Sequence, residues 1–173
     1  MSINNVREII ASVTEFRQMP LQIGSRCESN VFYRIENLSS KDIENCAEHL
    51  AEKVLSVLSP QVPDILVSLH GSYTGLAQEL GKKLSELVYQ QLDVVNLDPK
   101  NYSKNKDKLK DKNAILVNDV ITTARTCLAY HSQITVDNAR VLGWVTLVDR
   151  TFGPGPVPII SAVKGEPVRI MES

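Results

Sequence analysis

Between Ile115 and Thr126 the chain reads Ile-Leu-Val-Asn-Asp-Val-Ile-Thr-Thr-Ala-Arg-Thr, an apolar run that ends in one carboxylate and then a cluster of small and hydroxyl-bearing residues. That order suits the capture of a phosphorylated sugar. Main-chain N–H groups of a turn, the hydroxyls of Thr122, Thr123 and Thr126, and the positive end of a following helix can together hold a phosphate. Asp119, just upstream, can accept hydrogen bonds from sugar hydroxyls. The same residues admit a plainer role, in which the threonines cap the helix and Asp119 is a turn residue. A second stretch, Leu69-His70-Gly71-Ser72-Tyr73-Thr74-Gly75, has glycines at 71 and 75 that let the backbone approach a ligand and present N–H groups to an anion. His70 either contacts that anion or is structural. Arg150, at the end of another apolar run, can grip a planar carboxylate with two parallel donors or pair with Asp149 beside it.

These groups act together only if secondary structure brings them to one place. Apolar residues at Val6, Ile9, Ile10, Val13 and Phe16 have the spacing of a short amphipathic helix, and Val31 to Ile35 is β-prone. Ser39 or Ser40 can cap a helix whose apolar face is Ile43, Cys46, Ala47, Leu50, Val54, Leu55 and Leu58, with Pro60 and Pro63 ending it. Asp64 to Leu69 reads as a buried strand, Gly71 to Gly75 as a turn, and Leu76 to about Gln90 as a helix. Leu92 to Leu97 and Ala114 to Val117 follow as strands, with Val120 to Thr126 as a loop, Cys127 to about Val136 as a helix, and Val141 to Val148 as a fourth strand. Alternation of strand and helix implies an α/β fold with a parallel sheet and right-handed crossovers. Ligands in such sheets bind beyond the carboxyl ends of the strands, which is where Asp119 and the threonines fall. The tail from Thr151 is rich in Gly and Pro, with a short strand at Pro158 to Val163.

The segment from Asp98 to Asn113 is polar and holds Lys100, Lys104, Lys106, Lys108, Lys110 and Lys112, so it is expected to be a flexible loop. Its lysines are either a solvated surface or cations for an anionic ligand. Elsewhere the composition is that of a soluble globular domain, 43% hydrophobic and 23% charged, with a net charge of -1 that exerts no global pull on nucleic acid or acidic lipid. The 173 residues suit one domain. Three scattered cysteines suggest neither a disulfide framework nor a zinc site, which favours a cytoplasmic location, and no run approaches the ~20 apolar residues of a membrane span.

The stretch Ile115–Thr126 resembles the phosphoribosyl-pyrophosphate signature of type I phosphoribosyltransferases. Two further stretches are similar to segments of orotate phosphoribosyltransferases: Ser29-Asn30-Val31-Phe32-Tyr33, and Gly143 to Arg150. The three occur in the family's order. The resemblance implies a phosphoribosyltransferase-like parallel sheet flanked by helices, with a small hood from residues 1–35 and 151–173. It implies that Asn118 and Asp119 hold the ribose hydroxyls and that Thr122, Thr123, Ala124, Arg125 and Thr126 hold the 5-phosphate. His70, Gly71, Ser72 and Tyr73 would then meet the diphosphate, and Phe32, Tyr33 and Arg150 the base. The 98–113 segment would be a loop closing over the site, with Lys104 and Lys106 acting in catalysis beside Asp119. Mg²⁺ is the cofactor implied, held in part by Asp119, and a homodimer is the usual assembly.

Where the chain departs from the family, charge or space changes. Asn118 stands for the first acid, Thr74 for a lysine, Gly24 for a base-pocket lysine with Arg26 nearest, and Ala124 for a glycine or smaller turn residue. Two functions follow as expectations. One is transfer of ribose 5-phosphate from phosphoribosyl pyrophosphate to a nucleobase, with orotate first. The other is a regulatory protein of the same fold that binds phosphoribosyl pyrophosphate or a nucleotide without turnover.

Overall fold

Aliphatic runs too short to be helices and unbroken by polar residues become strands buried on both faces, and five of them form the main sheet. A computed structural model describes residues 3–23, 27–69, 72 and 74–171. In chain order the elements are α1 (Ile3–Ser12), β1 (Thr14–Ile23), β2 (Cys27–Tyr33), α2 (Ser40–Leu58), β3 (Ile65–Leu69), α3 (Thr74–Val88), β4 (Asp93–Leu97), α4 (Tyr102–Leu109), β5 (Asn113–Ile121), α5 (Arg125–Val136), β6 (Arg140–Asp149), β7 (Ile159–Lys164) and β8 (Arg169–Ile170). The main sheet has the order β4-β3-β5-β6-β7 and every neighbouring pair is parallel. A second sheet, β1-β2-β8, is antiparallel and forms the hood.

Two apolar clusters lie on opposite faces of the main sheet. One joins Ile115, Val117, Val145 and Leu147 to α1, α2 and α3. The other joins Ala114, Leu116 and Trp144 to α4 and α5 through Tyr102, Leu109, Cys127, Tyr130 and Ile134. Ser39 starts α2 with a capping box, its hydroxyl accepting the Asp42 N–H while the Asp42 carboxylate accepts the Ser39 N–H. The face expected for this helix is the one that is buried, except that Leu55 is only half-buried.

The structure departs from the sequence expectation in three places. Phe16 does not extend the first helix. It lies on β1, 73% exposed, because Thr14, Glu15 and Phe16 pair with Tyr33, Phe32 and Val31 of β2, and this strand pairing outweighs a weak helical spacing. Residues 98–113 do not form a loop throughout. Tyr102 and Leu109 fall seven apart on one helical face, and both are buried against the α5 side of the sheet. The Tyr102 hydroxyl donates to an Asp137 carboxylate oxygen at 2.7 Å. Finally, β5 runs on to Ile121 and α5 starts at Arg125, so the turn between them is shorter than Val120 to Thr126.

Docking of α4 by Leu109 has a measurable consequence. Leu109→Ala is expected to lower unfolding free energy by about 2–4 kcal/mol in urea titrations, the range for deleting a buried leucine side chain. A loosely attached segment would give a change near zero.

Candidate functional site

From β3 the chain builds toward one edge of the main sheet, and with β5 it returns to build toward the other, so the order reverses between these two strands. Loops leaving their carboxyl ends diverge and open a crevice. Ser68 is in register with Val117, so the carboxyl ends of β3 and β5 lie side by side. On the β3 side, the Ser72 hydroxyl and N–H both donate to the Leu69 carbonyl, at 2.7 and 3.1 Å, and the Ser72 and Ser68 hydroxyls are 3.3 Å apart. His70, Gly71 and Tyr73 lie outside the described residues, as do Gly24, Arg26 and the side chain of Thr74.

Two polar residues follow Val117 at the end of β5. Asn118 continues the face of Ala114 and Leu116, and its side chain hydrogen-bonds the Cys127 thiol of α5. Burial pushes that thiol up to about 12 although the Asn118 amide pulls it down, so Cys127 is a neutral packing residue and not a nucleophile. Asp119 is half-buried. One of its carboxylate oxygens, Oδ1, accepts the Val120 N–H at 2.8 Å, and its main-chain carbonyl accepts the Thr146 hydroxyl at 2.9 Å. The backbone at Asp119 is thereby held to β6.

The turn after Ile121 bends sharply. Ala124 occupies the left-handed region, φ 59° and ψ 2°, and is the N-cap of α5 without any side-chain cap bond. The threonines therefore do not cap the helix. Thr122 is half-buried and Thr123 and Thr126 are exposed, so three hydroxyl-bearing residues flank the N-terminus of α5. Such a turn at a helix N-terminus suits an anion. Among the described residues no three His, Cys, Asp or Glu side chains gather. A Mg²⁺ ion commonly takes one or two carboxylates and completes its shell with water and substrate phosphate. Asp119 fits that demand as a single protein ligand.

The residues expected at the base do not converge. Phe32 and Tyr33 are consecutive on β2 and face opposite ways. The Phe32 ring has Arg17 and Arg34 guanidinium carbons 5.3 and 5.9 Å from its centroid, while Tyr33 has that of Arg150 at 5.4 Å. Arg150 is 2% exposed, and its guanidinium donates to the Glu166 carbonyl at 2.6 Å, the Val31 carbonyl at 3.2 Å and the Ser29 hydroxyl at 2.6 Å. The expected pairing with Asp149 does not form. Three donors are engaged inside the protein, and Asp149 instead binds the Lys164 ammonium and the Thr151 hydroxyl, each at 2.7 Å. Lys104 and Lys106 are exposed on α4, and among the described residues no hydrogen bond or ion pair joins them to Asn118–Thr126.

In the sequence Ser29 stands out only as the start of a similar stretch, and Glu166 does not stand out at all; they meet Arg150 from 121 and 16 residues away. The only local signal is Gly165. A Cβ there would lie 2.7 Å from the Tyr33 hydroxyl, 2.6 Å from Val148 Cγ1 and 3.1 Å from Arg150 Cγ.

No family model matches the sequence, and no curated protein matches it either. Solved structures do. Orotate phosphoribosyltransferase from Aeropyrum pernix superimposes with a TM-score of 0.66 at 15% identity, covering 95% of this chain and 94% of that one. A hypoxanthine-guanine phosphoribosyltransferase from Leishmania tarentolae in complex with GMP gives 0.60 at 13% identity, over 74% of this chain and 79% of the other. A hypothetical protein from Neisseria gonorrhoeae with bound ppGpp gives 0.57 at 17%, over 73% and 80%. The chain thus has the fold of the type I phosphoribosyltransferases.

Ala124 offers a direct check on the turn. A left-handed residue with a Cβ costs roughly 1–2 kcal/mol, part of which a glycine regains in the unfolded chain. Ala124→Gly is expected to raise the unfolding free energy by about 0.5–1 kcal/mol in denaturant titrations. A loss of stability would contradict this geometry.

Proposed function

We propose that this chain, folded as a type I phosphoribosyltransferase, binds phosphoribosyl pyrophosphate at the crevice between β3 and β5 and transfers its ribose 5-phosphate to a nucleobase. The observation that carries the reading is the closeness in sequence and fold of Asp119, at the end of β5, to the Ala124 turn, where Thr122, Thr123 and Thr126 flank the start of α5. The turn binds the 5-phosphate through amides and the Thr122, Thr123 and Thr126 hydroxyls. Asp119 accepts from the ribose hydroxyls and fixes the sugar's orientation. Half-burial of this carboxylate strengthens its interaction with the positive charge that develops on the ribose carbon. Asp119, together with ligand oxygens, would hold a Mg²⁺ ion, which would supply positive charge to the diphosphate. Serving the same diphosphate are His70, Gly71, Ser72 and Tyr73 from the adjacent loop. Positioning is the protein's main contribution, since the base supplies the nucleophile.

Orotate is the base proposed first, supported by the full-length likeness to an orotate phosphoribosyltransferase. With Arg150 committed to Ser29, Val31 and Glu166, other groups of the hood must read that base. We propose a cytoplasmic homodimer as the working form, with Lys104 and Lys106 available to the diphosphate. A second reading, binding without turnover, draws on Asn118. It is an amide where a second carboxylate would add charge, and it is bonded to Cys127.

Calorimetry and a turnover assay with phosphoribosyl pyrophosphate, Mg²⁺ and orotate, uracil or hypoxanthine separate these readings. An enzyme will bind phosphoribosyl pyrophosphate and release diphosphate with one of the bases. Asp119→Asn is expected to reduce kcat/KM about tenfold to a hundredfold, the size of a lost hydrogen bond to a charged group. Affinity without diphosphate release from any base, unchanged by Asn118→Asp, would favour the binding protein. No affinity at all would end both.

A further inference from the structure

Arg150 is buried, charged and has no carboxylate within ion-pair distance among the described residues. Desolvation of such a cation is unfavourable unless fixed dipoles replace water. In this protein the replacements come from two parts of the chain, which β2 and β8 bring together in the hood sheet. Ser29 and Val31 belong to the hood strand β2, and Glu166 belongs to the segment between β7 and β8. Ser29 itself is locked, because its hydroxyl donates to the Val31 carbonyl at 2.9 Å and accepts the Val31 N–H at 3.0 Å. Tyr33 stacks on the guanidinium, and Gly165 leaves the space that allows it.

The main chain of the same residue points the other way. The Arg150 N–H donates to the Ile121 carbonyl at 2.8 Å, directly before the turn that starts at Thr122. One residue therefore bonds the end of β5 through its backbone and the hood through its side chain. We infer that Arg150 is a positioning residue that ties the hood to the phosphate-binding turn, so that the two hold one spacing and loosen together. It does not read the base. Planar guanidinium geometry is essential, since a lysine ammonium cannot reach three acceptors arranged around a fork.

Hydrogen exchange on the full chain tests this without any ligand. Arg150→Met is expected to accelerate amide exchange roughly tenfold in both 27–33 and 122–128, while 43–54 of α2 keeps its wild-type rate. Arg150→Lys and Ser29→Ala are expected to give the same paired response at smaller size, and they carry the test if Arg150→Met exposes α2 as well. Acceleration confined to 27–33, or wild-type rates throughout in Arg150→Lys, would overturn the inference. A second arm rests on the reading under Proposed function. Phosphoribosyl pyrophosphate is expected to slow exchange at 122–128 and at 27–33 in the wild type, but only at 122–128 in Arg150→Lys. Slowing at 122–128 alone in the wild type would break the coupling. If the ligand protects nothing, the phosphoribosyl reading fails, and the ligand-free variants decide the role of Arg150 by themselves.

Discussion

Parallel pairing of β5 with β3 on one side and β6 on the other is the constraint on which the rest of the molecule depends. It places three strand ends side by side, with the order of the sheet reversing between β3 and β5. A crevice at that point is a consequence of topology. Chemistry then enters through very few residues. Asp119 is anchored at the strand end by its own carbonyl and by the Val120 N–H, and the chain turns through Ala124 into the N-terminus of α5. A left-handed alanine is an unfavourable conformation, and it persists because β5 and α5 are both packed on Leu116, Cys127 and Tyr130.

The hood is attached differently. Its sheet has only three strands, one of them two residues long, and β1 leaves Phe16 and Met19 in solvent. So small an antiparallel unit is marginal unless it is fastened to a larger body. Arg150, Tyr33 and Gly165 provide the fastening at the end of β6. On the neighbouring strand, Lys164 closes on Asp149 while the Gly165 N–H donates to the Asp149 carbonyl. The residues that shape this junction follow the strands of the main sheet, so the hood inherits its placement from the sheet.

Much of this organisation is legible in the sequence. Short aliphatic runs fix β3, β5 and β6, the Ser39–Asp42 box fixes the start of α2, and the acid-then-threonine order marks the turn, because each signal is local. Signals that compete, or that act at long range, are less legible. Phe16 satisfies a helical spacing yet is taken by strand pairing 15 residues away in register with Val31. The lysines of 98–113 conceal the two apolar residues that dock α4. Arg150 was legible as an important arginine and illegible in its role, since its partners at Ser29, Val31 and Glu166 meet it only in the folded chain. Asn118 likewise shows in the sequence as a missing charge, and only the fold shows that its amide is bonded to Cys127.

Catalysis and mere binding would share the phosphate turn, and they differ in what faces the diphosphate and the base. The central claim is thus the turn itself. A crystal structure of the chain soaked with ribose 5-phosphate measures it most directly. The phosphate is expected within hydrogen-bonding distance of the main-chain N–H groups of Thr123 to Thr126, with a ribose hydroxyl on Asp119. Phosphate bound elsewhere, or an Asp119 carboxylate that leaves the sugar untouched, would contradict it.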